Sequence, residues 1–173
     1  MASALGACSS SDPRPTPSVL LPDVGPGYHL ADASGPLSKE ALAVATALPK
    51  AVMSSYLTNA GWRSAGERVW TSTNDGFVTD IVATFAKDDD ATGLVALAQK
   101  TLPGPATTPF TPPSVAGARG FVQTSDVAGK TMFCIITFAS SGTRAFVVTR
   151  CTPYPQDTTV ASGLLVQQLT RAR

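Results

Sequence analysis

The chain has 173 residues, 13 of them basic and 12 acidic, for a formal charge of +1. Charged residues make up 14% and hydrophobic residues 43%, with 14 glycines and 14 prolines, whereas an average soluble domain is about 25% charged. These figures argue against nucleic-acid binding by phosphate neutralisation, a wholly disordered chain and a collagen-like repeat, and they leave room for one domain with a real core.

Seven of the 14 prolines fall in the first 49 residues, from Pro13, Pro15 and Pro17 through Pro22, Pro26 and Pro36 to Pro49. Between Ser9 and Gly27 no helical or strand periodicity shows, and the Pro-x-Pro-x-Pro run favours extended chain. Residues 9–37 therefore read as a Pro/Ser/Gly-rich, mostly uncovered tether, and 38–173 as a single domain. Ahead of the tether, Leu5-Gly6-Ala7-Cys8 followed by Ser9-Ser10-Ser11-Asp12 resembles the lipobox of bacterial lipoproteins. The resemblance implies cleavage before Cys8 and acylation of that residue, with residues 1–8 a signal-peptide remnant. Small Gly6 and Ala7 suit a peptidase that needs slim side chains beside the cut. Met1-Ala2-Ser3-Ala4 supplies neither the charged start nor the roughly 7–15 apolar residues of a signal peptide. The expectation is therefore a start upstream of Met1 or a shortened end; the alternative is a chance match.

From Ser38, an N-cap residue, Leu42, Ala43, Val44, Ala47 and Leu48 predict a helix. After Pro49 a second one places Val52, Met53, Tyr56 and Leu57 on one face and stops at Gly61. Trp62 to Thr73 and Phe77 to Phe85 flank Asn74-Asp75-Gly76, a hairpin composition. In the second strand, Phe77, Thr79, Ile81, Ala83 and Phe85 share a side. Ala91 to Leu102 carries a helical stripe of Leu94, Leu97, Ala98 and Leu102. A proline-rich stretch, 103–113, then reads as a loop longer than the usual four to six residues.

Strands are expected near 117–125 and 130–139, turning at Ala128-Gly129, and a third at 145–151. With Gly142-Thr143 as the two-residue loop, glycine stands first, as a type II′ turn requires. Opposed residues then pair Ser141 with Arg144, Phe138 with Val147 and Cys134 with Cys151. The cysteines meet at a non-hydrogen-bonded site, where alpha carbons lie about 4.5 Å apart, close enough for a disulfide. A Ser141-Gly142 loop would leave them diagonal on one face, and two buried free thiols are the alternative to a bond. Asp157 to Leu169 closes the chain as a helix, with Val160, Ala161, Leu164, Leu165 and Leu169 inward.

The expected order is α-α-β-β-α-β-β-β-α: an α+β fold whose antiparallel sheet of about five strands packs against helices. No span of 18 apolar residues suggests a transmembrane helix. This order behind a lipobox is similar to that of small envelope lipoproteins of actinobacteria, some with a PsbP-like α/β sandwich. The resemblance lies in Gly61-Trp62 before Arg68-Val69-Trp70, and in Arg144 to Val148 followed by Gln167-Gln168-Leu169. Over 38–171 it implies a fold and a location, and it carries no catalytic residues across.

Candidate chemistry is sparse. His29, the sole histidine, lies in the tether without a neighbour to position it. No Gly-x-Ser-x-Gly elbow, Walker loop or Gly-x-Gly-x-x-Gly occurs. Asp88-Asp89-Asp90-Ala91-Thr92-Gly93 imitates half a calcium loop, but Gln99 stands where a bidentate glutamate is needed, so helix capping by Asp90 or a neighbour is favoured. Glu40 and Glu67 are the only glutamates, and Asp75 and Asp80 read as turn and strand-face residues. Trp62, Trp70 and Tyr56 suit a core, or else an apolar cleft. No catalytic residue, metal ligand or cofactor is nominated, and the ligand-binding residues are left unassigned.

The function expected is a non-enzymatic binding or accessory domain, anchored by lipid on Cys8 to the extracytoplasmic face of the cell membrane. Its partners would be the membrane and an envelope ligand or protein, not nucleic acid. The alternatives are an envelope hydrolase or transferase whose site assembles only in the fold, and a cytosolic or structural α+β protein.

Overall fold

A computed structural model describes residues 19–173; Cys8 and residues 9–18 of the expected tether lie outside the described residues. The elements run β1 (Tyr28–Leu30), β2 (Gly35–Leu37), α1 (Lys39–Ala45), α2 (Lys50–Asn59), β3 (Trp62–Ser72), β4 (Phe77–Phe85) and α3 (Asp88–Thr101), then β5 (Thr107–Phe110), β6 (Arg119–Val127), β7 (Lys130–Ser141), β8 (Arg144–Thr152) and α4 (Thr158–Arg171). The fold is α+β as expected, but the antiparallel sheet has eight strands, in the order β1-β3-β4-β8-β7-β6-β5, with β2 also on β3.

The additional strands correct both the count and the element order read from the sequence. β1 and β2 sit in the expected tether and pair with successive stretches of β3, Tyr28 opposite Ser72 and Gly35 opposite Glu67. They cap an edge that would otherwise expose unpaired backbone. β5 falls in the expected proline loop and pairs with β6, Phe110 opposite Gly120. Its Pro109 is tolerated because an edge strand has one side without ladder partners.

Upstream of β1 the correction is larger. Val19, Leu20, Leu21 and Val24 are buried beside Trp70, Val78, Val82, Phe146, Val148, Leu164 and Leu165. From Val19 onward the segment is therefore a strap packed on the sheet with α4, and not uncovered chain. The other sheet face carries Ile81, Ala83, Phe85, Phe121, Ile136, Phe138 and Val147 under α1, α2 and α3. Both faces being covered, β4 alternates its two sets of residues between two cores rather than between core and water.

Local signals account for the helix ends. Ser38 Oγ accepts from the Ala41 N–H at 3.2 Å, and Asp157 Oδ1 from the Thr159 N–H at 2.9 Å. The α3 cap is Lys87, without a side-chain hydrogen bond, and Asp88, Asp89 and Asp90 occupy the first turn. The expected cap by an aspartate is thus replaced by three carboxylates at the positive end of the helix dipole. The Cys134–Cys151 hairpin has the expected register, Ser141 opposite Arg144 and Cys134 opposite Cys151. Gly142 begins its turn at φ 53°. Among the described residues no helix is long and apolar enough to cross a membrane.

Candidate functional site

Where α4 begins, the layer over the sheet stops short of the strand ends. The ends of β3 and β8, the β3–β4 turn and the β8–α4 connection leave a groove of about 370 Å³ there. Arg150 comes from the last turn-facing stretch of β8, opposite Val78, and so projects on the α4 side. Tyr28 lines the groove from β1, and Pro153, Tyr154 and Pro155 line it from the β8–α4 connection.

Gln156 sets the guanidinium. Its Oε1 accepts from Arg150 Nη1, and its Nε2 donates to Phe133 O at 2.7 Å and Arg150 O at 2.9 Å. An arginine has five N–H donors; this bond uses one of them, and Arg150 is among the residues that line the groove. Gly76 permits the close packing beneath: a Cβ there would meet Ser72 Oγ at 3.0 Å and the Tyr28 hydroxyl at 3.2 Å. On the opposite sheet face, one residue along, the Cys134–Cys151 disulfide ties β7 to β8 with alpha carbons 4.1 Å apart.

A larger groove of about 530 Å³ lies between the end of α3 and β5–β6. Its cation, Arg119, donates from Nε to Gln99 Oε1 at 2.9 Å and from Nη1 to Ala118 O at 2.8 Å. That arginine braces a helix against a strand, which makes the Arg150 groove the better candidate for binding. The proline-rich stretch 103–113 contributes Pro103, Pro109, Phe110 and Thr111 to this second groove.

The most perturbed carboxylate lies elsewhere. Asp80, fully buried on β4, accepts from the Leu21 N–H and from Gln168 Nε2. Arg68 Nη1 donates to Leu21 O at 2.6 Å, so the same peptide is gripped from both sides. Burial pushes the Asp80 carboxyl up to about 7, against the pull of the Leu21 hydrogen bond, Arg68 and Gln168. Asp80 joins strap, sheet and α4, and it does not line the groove. Burial also raises Glu67, and burial together with Asp90 pushes Tyr56 up to about 12.

The residues singled out in the sequence do not converge. Exposed His29 sits on β1 opposite Thr71. Asp88–Asp90 are helical, so the calcium-loop geometry is not formed. The aromatic cleft is divided: Trp70 is buried on the strap side, while Tyr56 and Trp62 pack against the helical core on the other. Tyr56 donates to Asp90 O and stacks edge-on with Phe85, ring centroids 6.1 Å apart. Among the described residues no group of three His, Cys, Asp or Glu could hold a metal. Arg150, Tyr28 and Tyr154 were not nominated. The legible signal was an arginine after Val147-Val148-Thr149, near the end of a strand and three residues before Pro153-Tyr154-Pro155.

No family model matches the chain, and no curated protein matches it. Among solved structures it is similar to the extracellular domain of PknH from Mycobacterium tuberculosis. That similarity has a TM-score of 0.51 and 12% sequence identity, covering 83% of this chain and 82% of that one. At this identity the likeness is one of fold.

Proposed function

We propose that the chain is a non-enzymatic binding or accessory domain of a bacterial cell envelope, held on the extracytoplasmic face by lipid on Cys8. The observation that carries this reading is the Cys134–Cys151 disulfide, since such bonds persist in oxidising compartments and are rare in the cytosol. Likeness to the fold of an extracellular domain supports the same location. The Arg150 groove supplies a binding surface: a prepared cation, two tyrosines and rigid proline walls.

The alternative is an envelope hydrolase or transferase, which asks for a perturbed titratable group aimed into a pocket. Asp80 is perturbed but fully buried, and both its oxygens are engaged by Leu21 and Gln168, which favours binding over catalysis. One acyl chain gives only marginal attachment, and the multiple acylation implied by the lipobox would hold firmly. Expression of the gene with its upstream codons, then fractionation and mass measurement of the peptide carrying Cys8, tests the anchor. Acylated Cys8 in the membrane fraction is expected; unmodified Cys8 in the soluble fraction would overturn it.

A further inference from the structure

We propose that the Arg150 groove takes a carboxylated saccharide, its carboxylate on the guanidinium of Arg150 and its ring between Tyr28 and Tyr154. The proposal deepens the reading of this chain as a binding domain and rests on it.

Charge selects the anion. Among the described residues, Arg150 is the only charged one lining the groove. Its side-chain hydrogen bond goes to a neutral amide, Gln156, and not to a carboxylate. A guanidinium held in place loses little entropy on pairing, and its planar fork matches a carboxylate in bidentate geometry. One fork with no second cation suits a monoanion better than a phosphate, which carries nearly two charges.

The walls select the ring. A saccharide alternates apolar C–H faces with hydroxyls. Tyr154 is 72% exposed, an aromatic face left open beside Pro153 and Pro155. Tyr28, half-buried, lines the same groove from β1. Asn74 and Thr73, both exposed on the β3–β4 turn and lining the groove, offer amide and hydroxyl groups to ring hydroxyls. The volume of about 370 Å³ is at the lower end of the roughly 300–1,000 Å³ of ligand pockets, the scale of a small sugar and not of a polymer strand.

The test is amide-resolved NMR titration of the full chain with three probes: methyl β-D-glucuronide, methyl β-D-glucoside and acetate. The two glycosides differ at the carboxylate alone. Glucuronide is expected to shift amides of 27–28, 72–76 and 150–156 to saturation, and to bind about tenfold or more tighter than the glucoside, as a charge-assisted pair requires. Arg150→Gln should bring the glucuronide down to the glucoside level and leave the glucoside unchanged. Tyr154→Ala, at an exposed position, should weaken both glycosides and spare acetate. Equal binding of the two glycosides, an undiminished Arg150→Gln, shifts on another face or no shift with any probe would each overturn the proposal. The binding-domain reading would then stand or fall separately, on the anchor and on the thiol state of the cysteine pair in cells.

Discussion

Leu21 and Asp80 are 59 residues apart in sequence and joined by a hydrogen bond from the backbone N–H of one to the buried carboxylate of the other. This contact makes the strap part of the domain. Arg68 holds the carbonyl of the same residue, and Gln168 reaches Asp80 from α4. A segment with no periodicity of its own is thereby fixed by two polar anchors and four buried apolar side chains.

Leu21 is completely buried. Leu21→Ala should lower unfolding free energy by about 2–5 kcal/mol, the range for truncating a core leucine. Urea unfolding measures it. A change near zero would return residues 19–24 to the status of uncovered tether.

Asp80 gives the domain a definite pH dependence. Its folded-state value of about 7 exceeds the ordinary 3.8, so the native state binds the proton more tightly than the unfolded chain. That contribution to stability is complete below about pH 4 and is lost as pH rises toward 7. At about 1.4 kcal/mol per unit the loss is on the order of 4 kcal/mol. Asp80→Asn keeps an acceptor for the Leu21 N–H, and its amide N–H can donate to Gln168 Oε1, a buried acceptor without a partner among the described residues, once the Gln168 amide turns over. It should abolish the fall in stability across this window and be more stable than the native chain at pH 8. Parallel slopes in the two proteins would contradict the assignment.

The cysteine hairpin was legible because its determinants are local. A glycine at the head of a two-residue turn fixes the register, and the register brings Cys134 opposite Cys151. The helices were legible for a similar reason: Ser38 and Asp157 cap α1 and α4, and the apolar stripes repeat with the helical period. β1, β2 and β5 are three or four residues long and exist by pairing with distant strands, so nothing in their own composition announces them. Asp80 read as a strand-face residue because Phe77, Ile81 and Phe85 already supply one apolar side. Val78 and Val82 flanking it held the missing signal, that the second side is also buried. The groove depends on where α4 starts relative to the strand ends, a tertiary relation with no sequence period.

Replacing Cys134 and Cys151 together by alanine should cost about 3 kcal/mol, the scale for removing a cross-link that closes a short loop. Their sequence separation is 17. Thermal unfolding with and without reductant checks this: the native chain should lose stability on reduction, and the double variant should not respond. An equal response in both would place the effect elsewhere.

Gly120 lies beneath Phe110, where an added Cβ would come within 2.3 Å of the ring. Gly120→Ala should displace Phe110 and loosen β5 from β6, costing about 1–3 kcal/mol as overpacking does. Faster amide exchange at 107–110 is the expected readout, with α4 unaffected. Unchanged exchange there would show that the β5 edge does not depend on this contact.

The extracytoplasmic assignment is tested most directly by the thiol state of the chain in cells. Cells expressing the gene with its upstream codons are quenched in acid, and free thiols are alkylated before mass analysis. Cys134 and Cys151 are predicted to be recovered unalkylated and linked to each other. Recovery of both as alkylated free thiols would contradict the account and place the domain in a reducing compartment.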